Sequence, residues 1–200
     1  MVVLAIGAHP DDIEFGCFGT LARMSRKEKI FMLVFTRGEI AATPEVRISE
    51  AIKSAAMIGA SVSFLSHPDG GLQQTAETVR ELRDEITKRG ADTIFSPHME
   101  DSHQDHATAG RIAISSWKLV NRVLFYESPT TFNFQPNIYC DITETFEIKR
   151  QALDSFQSQK SKPSLETAQV RGLAQYRAWQ CDRRNKLFEA FVIARAIKDG

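Results

Sequence analysis

Short apolar runs alternate with helical segments along the first 127 residues of the chain. The apolar runs are rich in Val, Leu, Ile and Phe and predict strands over residues 2–8, 30–36, 61–66, 93–96 and 123–127. Helices are predicted between them, over residues 15–25, 43–58, 75–89 and 107–120. Strands that alternate with helices of this length are typical of βαβ units. The pattern therefore predicts an α/β, three-layer, Rossmann-like fold with a mostly parallel sheet and helices on both faces.

The pattern changes after residue 127. The next segment, 128–137, contains Pro129 and Pro136 and predicts a loop. Further helices are predicted over 143–157, preceded by Asp141 and Glu144 at capping-box spacing, and over 165–179, with a polar, flexible segment at 158–164. Residues 187–197 are too apolar for an exposed tail and fit either a strand or a helix. We expect a single domain over 1–200, with an α/β core at 1–127 and a loop and helical part at 128–200.

The charge balance excludes one class of protein. In all, 25 Lys and Arg balance 25 Asp and Glu, whereas domains that mainly bind nucleic acid carry a basic excess. The balance is uneven along the chain: residues 1–148 carry 14 basic and 20 acidic side chains, and residues 149–200 carry 11 and 5. We therefore hypothesise that the basic segment 149–200 either packs against the acidic body or contributes charge toward an anionic substrate group.

The cysteine content and the hydropathy predict a cytoplasmic protein. Cys17, Cys140 and Cys181 are odd in number and show no close pairing pattern, which is typical of reduced thiols. No run approaches the roughly 20 apolar residues of a membrane helix. The amino terminus also lacks the basic region of a signal peptide. We expect neither a membrane nor a nucleic-acid partner.

Most of the chemically competent side chains follow two of the predicted strands. The sequence AHPDDIEFG spans residues 8–16, directly after the first strand, and PHMEDSHQDH spans residues 97–106, after the fourth. These two segments hold four of the five histidines. Ligands of parallel α/β sheets bind beyond the carboxyl ends of the strands, so both segments are expected at one edge of the sheet.

The residue types in these segments suit a catalytic metal. A catalytic zinc ion takes three nitrogen, oxygen or sulfur ligands from the protein, and His9, Asp12 and His106 could supply them. Asp11 could then act as a general base. A His-His-carboxylate set also suits Fe²⁺, so the metal stays open at this point. Each feature has a plainer interpretation: His-Pro-Asp is common in turns, Asp105 could be only a helix N-cap, and His103 an exposed loop residue.

The paired motifs AHPDDIEFG and DSHQDH resemble those of the PIG-L/LmbE-like zinc deacetylases. Further similarity is carried by Thr36-Arg37-Gly38-Glu39, by Arg47, Glu50, Ala51 and Gly59, by Asp69-Gly70, and by Asp141-Ile142-Thr143, Lys149 and Ser158-Gln159. The resemblance covers roughly residues 2–160. It implies hydrolysis of a linear amide, in which a metal-bound water removes the N-acetyl group from a small glycoconjugate that contains N-acetylglucosamine.

The resemblance also implies roles for individual residues. His9, Asp12 and His106 resemble the zinc ligands, and Asp11 the general base. His103 resembles the group that acts as an acid or stabilises the oxyanion, and Asp105 one that orients a neighbouring histidine. Arg47 resembles a substrate-contacting arginine; a surface ion pair with Glu50 is the plainer interpretation. Members of the family are often oligomeric, which makes a homo-oligomer possible.

Some features depart from the family or leave other functions open. Phe188 stands where the family usually has a tyrosine, which removes a hydroxyl that could contact substrate. Phe132 and Phe134 could line an apolar part of the pocket, although packing is favoured. Two other functions stay open: hydrolysis of an ester or phosphoester, and binding of a sugar or nucleotide without catalysis. Against nucleotide binding, the first strand is not followed by the G-x-G-x-x-G sequence that cradles a pyrophosphate.

Overall fold

A seven-stranded sheet with the order β3-β2-β1-β4-β5-β7-β6 forms the centre of the molecule in the computed structural model, which describes residues 1–160 and 165–197. Its strands are β1 (Val2–Gly7), β2 (Lys29–Thr36), β3 (Ser61–His67), β4 (Thr93–Pro97), β5 (Arg122–Tyr126), β6 (Ile138–Asp141) and β7 (Phe188–Ala196). The first five strands pair in parallel, and β7 runs antiparallel to both β5 and β6. The predicted α/β fold with a mostly parallel sheet is confirmed.

Helices cover both faces of this sheet. They are α1 (Asp12–Gly16), α2 (Phe18–Met24), α3 (Pro44–Ala56), α4 (Ala76–Arg89), α5 (Gln104–Ser115), α6 (Phe146–Asp154) and α7 (Thr167–Gln180), with short 3-10 turns at Trp117–Leu119 and Gln157–Gln159. Leu4 and Ile6 of β1 pack with α4 and α5, whereas Val3 and Ala5 pack with α1, α2 and α3. Because successive side chains of β1 enter opposite cores, the strand is apolar throughout.

Two predicted helices differ from the observed ones where the chemistry lies. The helix expected over 15–25 begins earlier and is broken at Cys17, which has an extended φ of −146° between α1 and α2. The helix expected from residue 107 begins at Gln104, so Asp105 and His106 lie in its first turn. Asp105 is therefore not the N-cap of α5. That position belongs to His103, whose Nδ1 accepts the Asp105 N–H at 3.3 Å.

The carboxyl-terminal part contains more sheet than its sequence predicts. The expectation of a loop and helical part over 128–200 omits β6 at 138–141, and of the two alternatives left open for 187–197 the strand is the one that forms, as β7. The expected capping box is wrong as well: α6 begins only at Phe146, and the Asp141 carboxylate instead accepts from the Thr143 backbone N–H at 2.9 Å. Of the predicted flexible segment 158–164, residues 161–164 lie outside the described residues.

No helix in residues 1–160 and 165–197 is long and apolar enough to cross a membrane.

Candidate active site

The turns that follow β1 and β4 meet at the carboxyl edge of the sheet around a cavity of about 400 Å³. Its polar wall comes from these two turns, together with the loops after β2, β3 and β5. It includes six of the seven side chains singled out from the sequence, namely His9, Asp11, Asp12, Arg47, His103 and His106. The seventh, Asp105, is fully buried directly behind His9. Parallel topology thus places two distant motifs in one site.

The β1–α1 turn is held in a strained conformation. Asp11 precedes α1 with φ 112° and ψ −21°, a region that L-residues other than glycine rarely adopt. The His9 backbone N–H donates to Asp12 Oδ2 at 2.8 Å, and the Asp12 N–H donates to the His9 carbonyl at 3.3 Å. These bonds fix the turn so that the Asp11 and Asp12 side chains both line the cavity.

The Asp12 carboxylate lies between two imidazoles. Its Oδ2 is 3.5 Å from His9 Nδ1, and its Oδ1 is 3.2 Å from His106 Nε2. The centroids of the two imidazole rings are 5.3 Å apart. Two nitrogens and a carboxylate, carried by the turn after β1 and by α5, therefore face one another at the floor of the cavity.

A buried carboxylate contacts the other ring nitrogen of each histidine. His9 Nε2 lies 3.0 Å from Asp105 Oδ2 and 3.0 Å from Asp69 Oδ1. His106 Nδ1 lies 3.3 Å from Asp101 Oδ2. Carboxylate–histidine pairs of this kind fix the tautomer and the ring orientation of metal-ligating histidines. In both rings, the nitrogen that faces Asp12 is the one left available as a ligand.

The electrostatics of the cluster favour positive charge. Burial opposes protonation of His9, but hydrogen bonds to Asp105, Asp12 and Asp69 outweigh it and raise its pKa to about 12. Burial likewise opposes protonation of His106, whereas Asp12 and Asp101 raise its pKa to about 10. Against the cost of burial, His106 and His9 hold the pKa of the Asp12 carboxyl well below its usual range. The carboxylates around the two rings thus stabilise positive charge at this position.

The donor set fits a divalent cation. Two groups of three side chains bring ligand atoms within 4.8 Å of one another: His9, His103 and His106, and His9, Asp69 and Asp105. The second group is better explained as hydrogen bonding, because both its carboxylates approach the single atom His9 Nε2. The set predicted from the sequence, His9, Asp12 and His106, is joined through the Asp12 carboxylate, which contacts one nitrogen of each ring. Imidazole and carboxylate donors suit zinc and Fe²⁺ alike.

His103 lies beside the two other imidazoles and is fixed by the backbone of α5. Its ring centroid is 4.7 Å from that of His9 and 4.5 Å from that of His106. Burial and the neighbouring charges of His106 and His9 lower the pKa of His103. Because its Nδ1 accepts the Asp105 N–H, the proton of the neutral ring belongs on Nε2.

Arg47 lies deeper than its sequence context suggests. The interpretation as a surface ion pair is wrong: the residue is 1% exposed, and its Nη1 is 4.0 Å from Glu50 Oε2. Its Nη2 is 3.3 Å from Asp11 Oδ2 and also donates to the Pro10 carbonyl. The guanidinium thus contacts the Asp11 carboxylate directly. Arg47 also lines the cavity.

Several other candidates lie outside this cluster. His67 pairs with Glu81 at 2.7 Å, and His98 packs edge-on against Phe125 and Phe134. Phe134 therefore packs, as favoured from the sequence, whereas Phe132 is exposed. The aromatic residues Phe132, Phe134 and Phe188 are all absent from the described lining of the cavity, as are the three tyrosines. Phe188, where the family usually has a tyrosine, is thus not part of that lining.

Two contributing carboxylates received no role from the sequence alone. Asp69 follows β3 within a His-Pro-Asp-Gly stretch that repeats the His-Pro-Asp of the first motif, and this repetition at a second strand end was the available signal. Asp101 lies within the second motif, two residues before His103. Nothing in the spacing separates it from Asp105 as the partner of a given histidine.

The chain is similar in sequence to proteins that are named deacetylases. A family model described as GlcNAc-PI de-N-acetylase (PIG-L) matches residues 4–117, more than half of the chain. The chain is 28% identical over 167 residues to a protein of Escherichia coli K12 named uncharacterized deacetylase YaiS, covering 78% of this chain and 90% of that protein. It is 25% identical over 185 residues to diacetylchitobiose deacetylase of Thermococcus kodakarensis, covering 78% and 69%.

Solved structures share the fold over nearly the whole chain. The conserved protein TT1542 of Thermus thermophilus superposes with a TM-score of 0.87 at 27% identity, covering 99% of this chain and 96% of that one. The 4-carboxy-2-hydroxymuconate hydratase GalB of Pseudomonas putida superposes with a TM-score of 0.85 at 20% identity, covering 100% and 98%. A hydratase on this scaffold shows that the fold alone does not decide the reaction.

Proposed function

This chain belongs to the PIG-L (GlcNAc-PI de-N-acetylase) family, and from that premise we propose that it is a metal-dependent deacetylase. Its substrate would be a small conjugate of N-acetylglucosamine, whose acetamide bond it hydrolyses to acetate and a primary amine. The names of two relatives, a deacetylase and a diacetylchitobiose deacetylase, support this reaction class. Zinc is the proposed ion, with Fe²⁺ as the alternative that the same donors would accept.

One observation carries this proposal: the Asp11 carboxylate lines the same cavity as the His9, Asp12 and His106 donor set. Hydrolysis of an amide requires a nucleophilic water, a base that accepts its proton, and stabilisation of the negative charge that develops on the carbonyl oxygen. An ion held by His9, Asp12 and His106 would supply Lewis acidity for the carbonyl oxygen and for the attacking water. The remaining tasks belong to side chains of the chain itself.

Asp11 is the proposed general base. Its carboxylate lies at the start of α1 beside the Arg47 guanidinium, and the turn around it is fixed by backbone hydrogen bonds. Asp11 would accept a proton from the attacking water and return it to the nitrogen as the amine leaves. Arg47 would orient the carboxylate for this transfer and would contact substrate from the cavity wall.

His103 is the proposed oxyanion donor. The N–H at the start of α5 occupies its Nδ1, which leaves Nε2–H as the hydrogen-bond donor of the neutral ring. Such a donor would stabilise the developing oxyanion beside the Lewis acid. Asp105 would act through His9 and not on the substrate. Its carboxylate contacts Nε2 of His9 and accepts hydrogen bonds from the backbone N–H groups of Gly70 and Leu72.

A product assay tests the reaction class. Zinc-loaded and chelator-treated protein would be incubated with N-acetylglucosamine and N,N′-diacetylchitobiose, with a nitrophenyl ester and a nitrophenyl phosphate as parallel substrates. We expect equimolar acetate and primary amine from an acetylated sugar, and loss of both products after chelation. Turnover that resists chelation would refute the proposal. Phosphate as the only product would favour the phosphoesterase, and metal binding without any turnover would favour a binding module.

Substitution of Asp11 tests the assignment of the base. Asp11→Ala should lower kcat by about 10²–10⁴-fold while the protein retains one equivalent of metal, because the general base is removed and the ligands stay. His106→Ala is the contrasting variant and should lose both activity and metal. Elemental analysis together with initial rates distinguishes the two. Turnover of Asp11→Ala within a few fold of the unaltered protein would contradict the role.

A further inference from the structure

The Asp101 carboxylate accepts hydrogen bonds from three hydroxyls and one backbone N–H and also contacts His106. Its side chain is fully buried. Ser128 Oγ and Thr131 Oγ1 donate to Oδ2 at 2.6 and 2.8 Å, and Thr130 Oγ1 donates to Oδ1 at 2.6 Å. The His103 backbone N–H also donates to Oδ1, at 2.8 Å. His106 Nδ1 is the one ionisable contact recorded for this carboxylate within residues 1–160 and 165–197, at 3.3 Å.

A full negative charge at this position needs an explanation. Hydroxyl and backbone donors could be satisfied by a neutral side chain, and burial of a carboxylate is costly unless a charged or ionisable partner offsets it. His106 is that partner. A carboxylate at Nδ1 keeps the proton on that nitrogen and makes Nε2, which faces Asp12, a stronger electron donor. Asp101 is thus suited to control how His106 binds a cation.

The same carboxylate fastens a wall of the cavity. Ser128, Pro129 and Thr130 line the cavity, and the hydroxyls of 128, 130 and 131 converge on Asp101. A bridge between Asp101 and Thr131, and the Phe132 N–H bond to the Glu100 carbonyl at 2.9 Å, hold the same segment. We call residues 128–131 the hydroxyl loop.

The two histidines differ in how their carboxylates are held. Asp105, which serves His9, lies inside α5 and is fixed by backbone N–H groups. Asp101, which contacts His106, precedes α5 and accepts most of its hydrogen bonds from side chains of the hydroxyl loop. The hydroxyl loop therefore contacts the carboxylate behind His106, and Thr130 Oγ1 also lies 3.4 Å from His106 Nδ1.

We propose that Asp101 is a positioning residue that couples the hydroxyl loop to the metal ligand His106. Closure of the loop on Asp101 orders the carboxylate, which holds His106 with Nε2 toward Asp12. Conversely, cation binding at His106 stabilises the closed loop, because coupling between two sites is reciprocal. The inference rests on the proposed function only in assuming that His106 binds a metal. It requires no particular substrate.

Cobalt titration tests the proposal without any turnover. Apoprotein would be titrated with Co²⁺, and both the dissociation constant and the visible absorption spectrum recorded. Asp101→Asn should bind Co²⁺ about 10–100-fold more weakly and with an altered spectrum, the usual cost of removing a carboxylate behind a histidine ligand. Thr131→Val is a milder second variant that removes one donor to Oδ2, and we expect a smaller loss in the same direction.

Ser102→Ala is the matched control. The Ser102 hydroxyl donates to the Thr130 carbonyl at 3.0 Å, so its removal deletes a hydroxyl next to the loop while all three hydroxyl donors to Asp101 stay in place. Its Co²⁺ affinity should stay within about twofold of the unaltered protein. Unchanged affinity and spectrum in folded Asp101→Asn would overturn the proposal, as would an equal loss in Ser102→Ala. Unaltered protein that binds no Co²⁺ would also overturn it.

Hydrogen exchange supplies the reciprocal test. Zinc should slow amide exchange in a peptide that spans 128–135 of the unaltered protein, and Asp101→Asn should abolish that protection. Exchange that slows equally in both proteins would contradict the coupling. If Co²⁺ binding and protection follow the expected pattern but no acetylated sugar is turned over, the proposed function fails and the role of Asp101 stands.

Discussion

Asp11 shows how one residue combines a chemical and a conformational requirement. Its carboxylate lies beside Arg47 in the cavity, while its backbone adopts a φ of 112° that favours glycine. A residue held in a sparsely populated conformation at a candidate site is a common form of stored strain. The sequence predicted the chemical part from the His-Pro-Asp-Asp motif. The backbone part was not predictable, because aspartate before a helix ordinarily adopts an extended conformation.

The strain at Asp11 can be measured with two variants that both remove the carboxylate. Asp11→Gly should unfold with a free energy about 1 kcal/mol higher than Asp11→Ala, since only glycine tolerates this φ without a Cβ clash. Urea titrations of the two proteins at one pH would give the difference. Both variants should lose most of their activity, because both lack the carboxylate. A difference in stability between them would therefore report on the backbone alone. A more stable Asp11→Ala would mean that the turn relaxes freely.

At the scale of elements, the short helix α1 packs very closely against β5. α1 has only five residues, and it approaches β5 so closely that a Cβ on Gly16 would lie 2.0 Å from the ring of Tyr126. Tyr126 is fully buried, and its hydroxyl donates to the Ile6 carbonyl at 2.6 Å. The buried ring thus fills the space that a side chain at position 16 would need, at the end of the short helix that follows Asp11.

Substitution at Gly16 should therefore be costly where the same change elsewhere is not. Gly16→Ala should lower the free energy of unfolding by about 3 kcal/mol, the upper range for overpacking a dense core. Gly172→Ala is the matched control, because a Cβ there meets nothing within 4 Å inside helix α7. It should be neutral or stabilising by up to about 1 kcal/mol. Equal thermal midpoints for the two variants would contradict this account.

The elements that the sequence predicted are those with a strong periodic or fully apolar signal. β1 and β4 are buried along most of their length, and α4 carries a Thr75 capping box and a Gly90 C-cap. β6 was missed because it has only four residues, all half-buried, which is too short for a periodic signal, and it directly follows a proline-containing loop. β7 was undecided because its apolar run fits a strand or a helix until its partners on both sides are known.

At the scale of the whole molecule, the opposed charges of the two parts meet in specific pairs. Arg177 pairs with Glu127, and Lys186 lies 3.2 Å from Asp141. These contacts follow the first of the two hypotheses for the basic segment, packing against the acidic body. Arg47 is the one arginine or lysine in the described lining of the cavity. The charge asymmetry was visible in the sequence, whereas the pairing depends on the tertiary placement of α7 and β7.

A buried ion pair within the carboxyl-terminal part also contacts the two helices that follow β1. Lys149 Nζ lies 2.6 Å from Glu189 Oε1 and donates to the Phe15 carbonyl in α1. The Glu189 carboxylate in turn accepts the N–H groups of Gly19 and Thr20, at 2.9 and 2.7 Å, at the start of α2. The carboxyl-terminal part thus satisfies backbone groups of both helices that follow the first motif.

Breaking this pair from one side should cost more than removing both charges. Glu189→Gln should lower the free energy of unfolding by about 3 kcal/mol, because it leaves the buried Lys149 ammonium without its counter-charge. Lys149→Met combined with Glu189→Gln should recover part of that loss. A double-mutant cycle from urea unfolding gives the coupling free energy. Additive losses would show that the two charges act independently.

The position of β7 constrains the order in which the protein can be assembled. β7 is formed by the last strand-forming residues of the described chain, yet it lies inside the sheet, between β5 and β6. During synthesis, both motifs leave the ribosome long before residues 188–196. Until those residues arrive, β5 has an unpaired edge and the amino end of α2 lacks the Glu189 carboxylate. The site is therefore expected to be completed only after residues 188–196 have been synthesised, and nascent chains stalled before residue 188 should be the species that most need a chaperone.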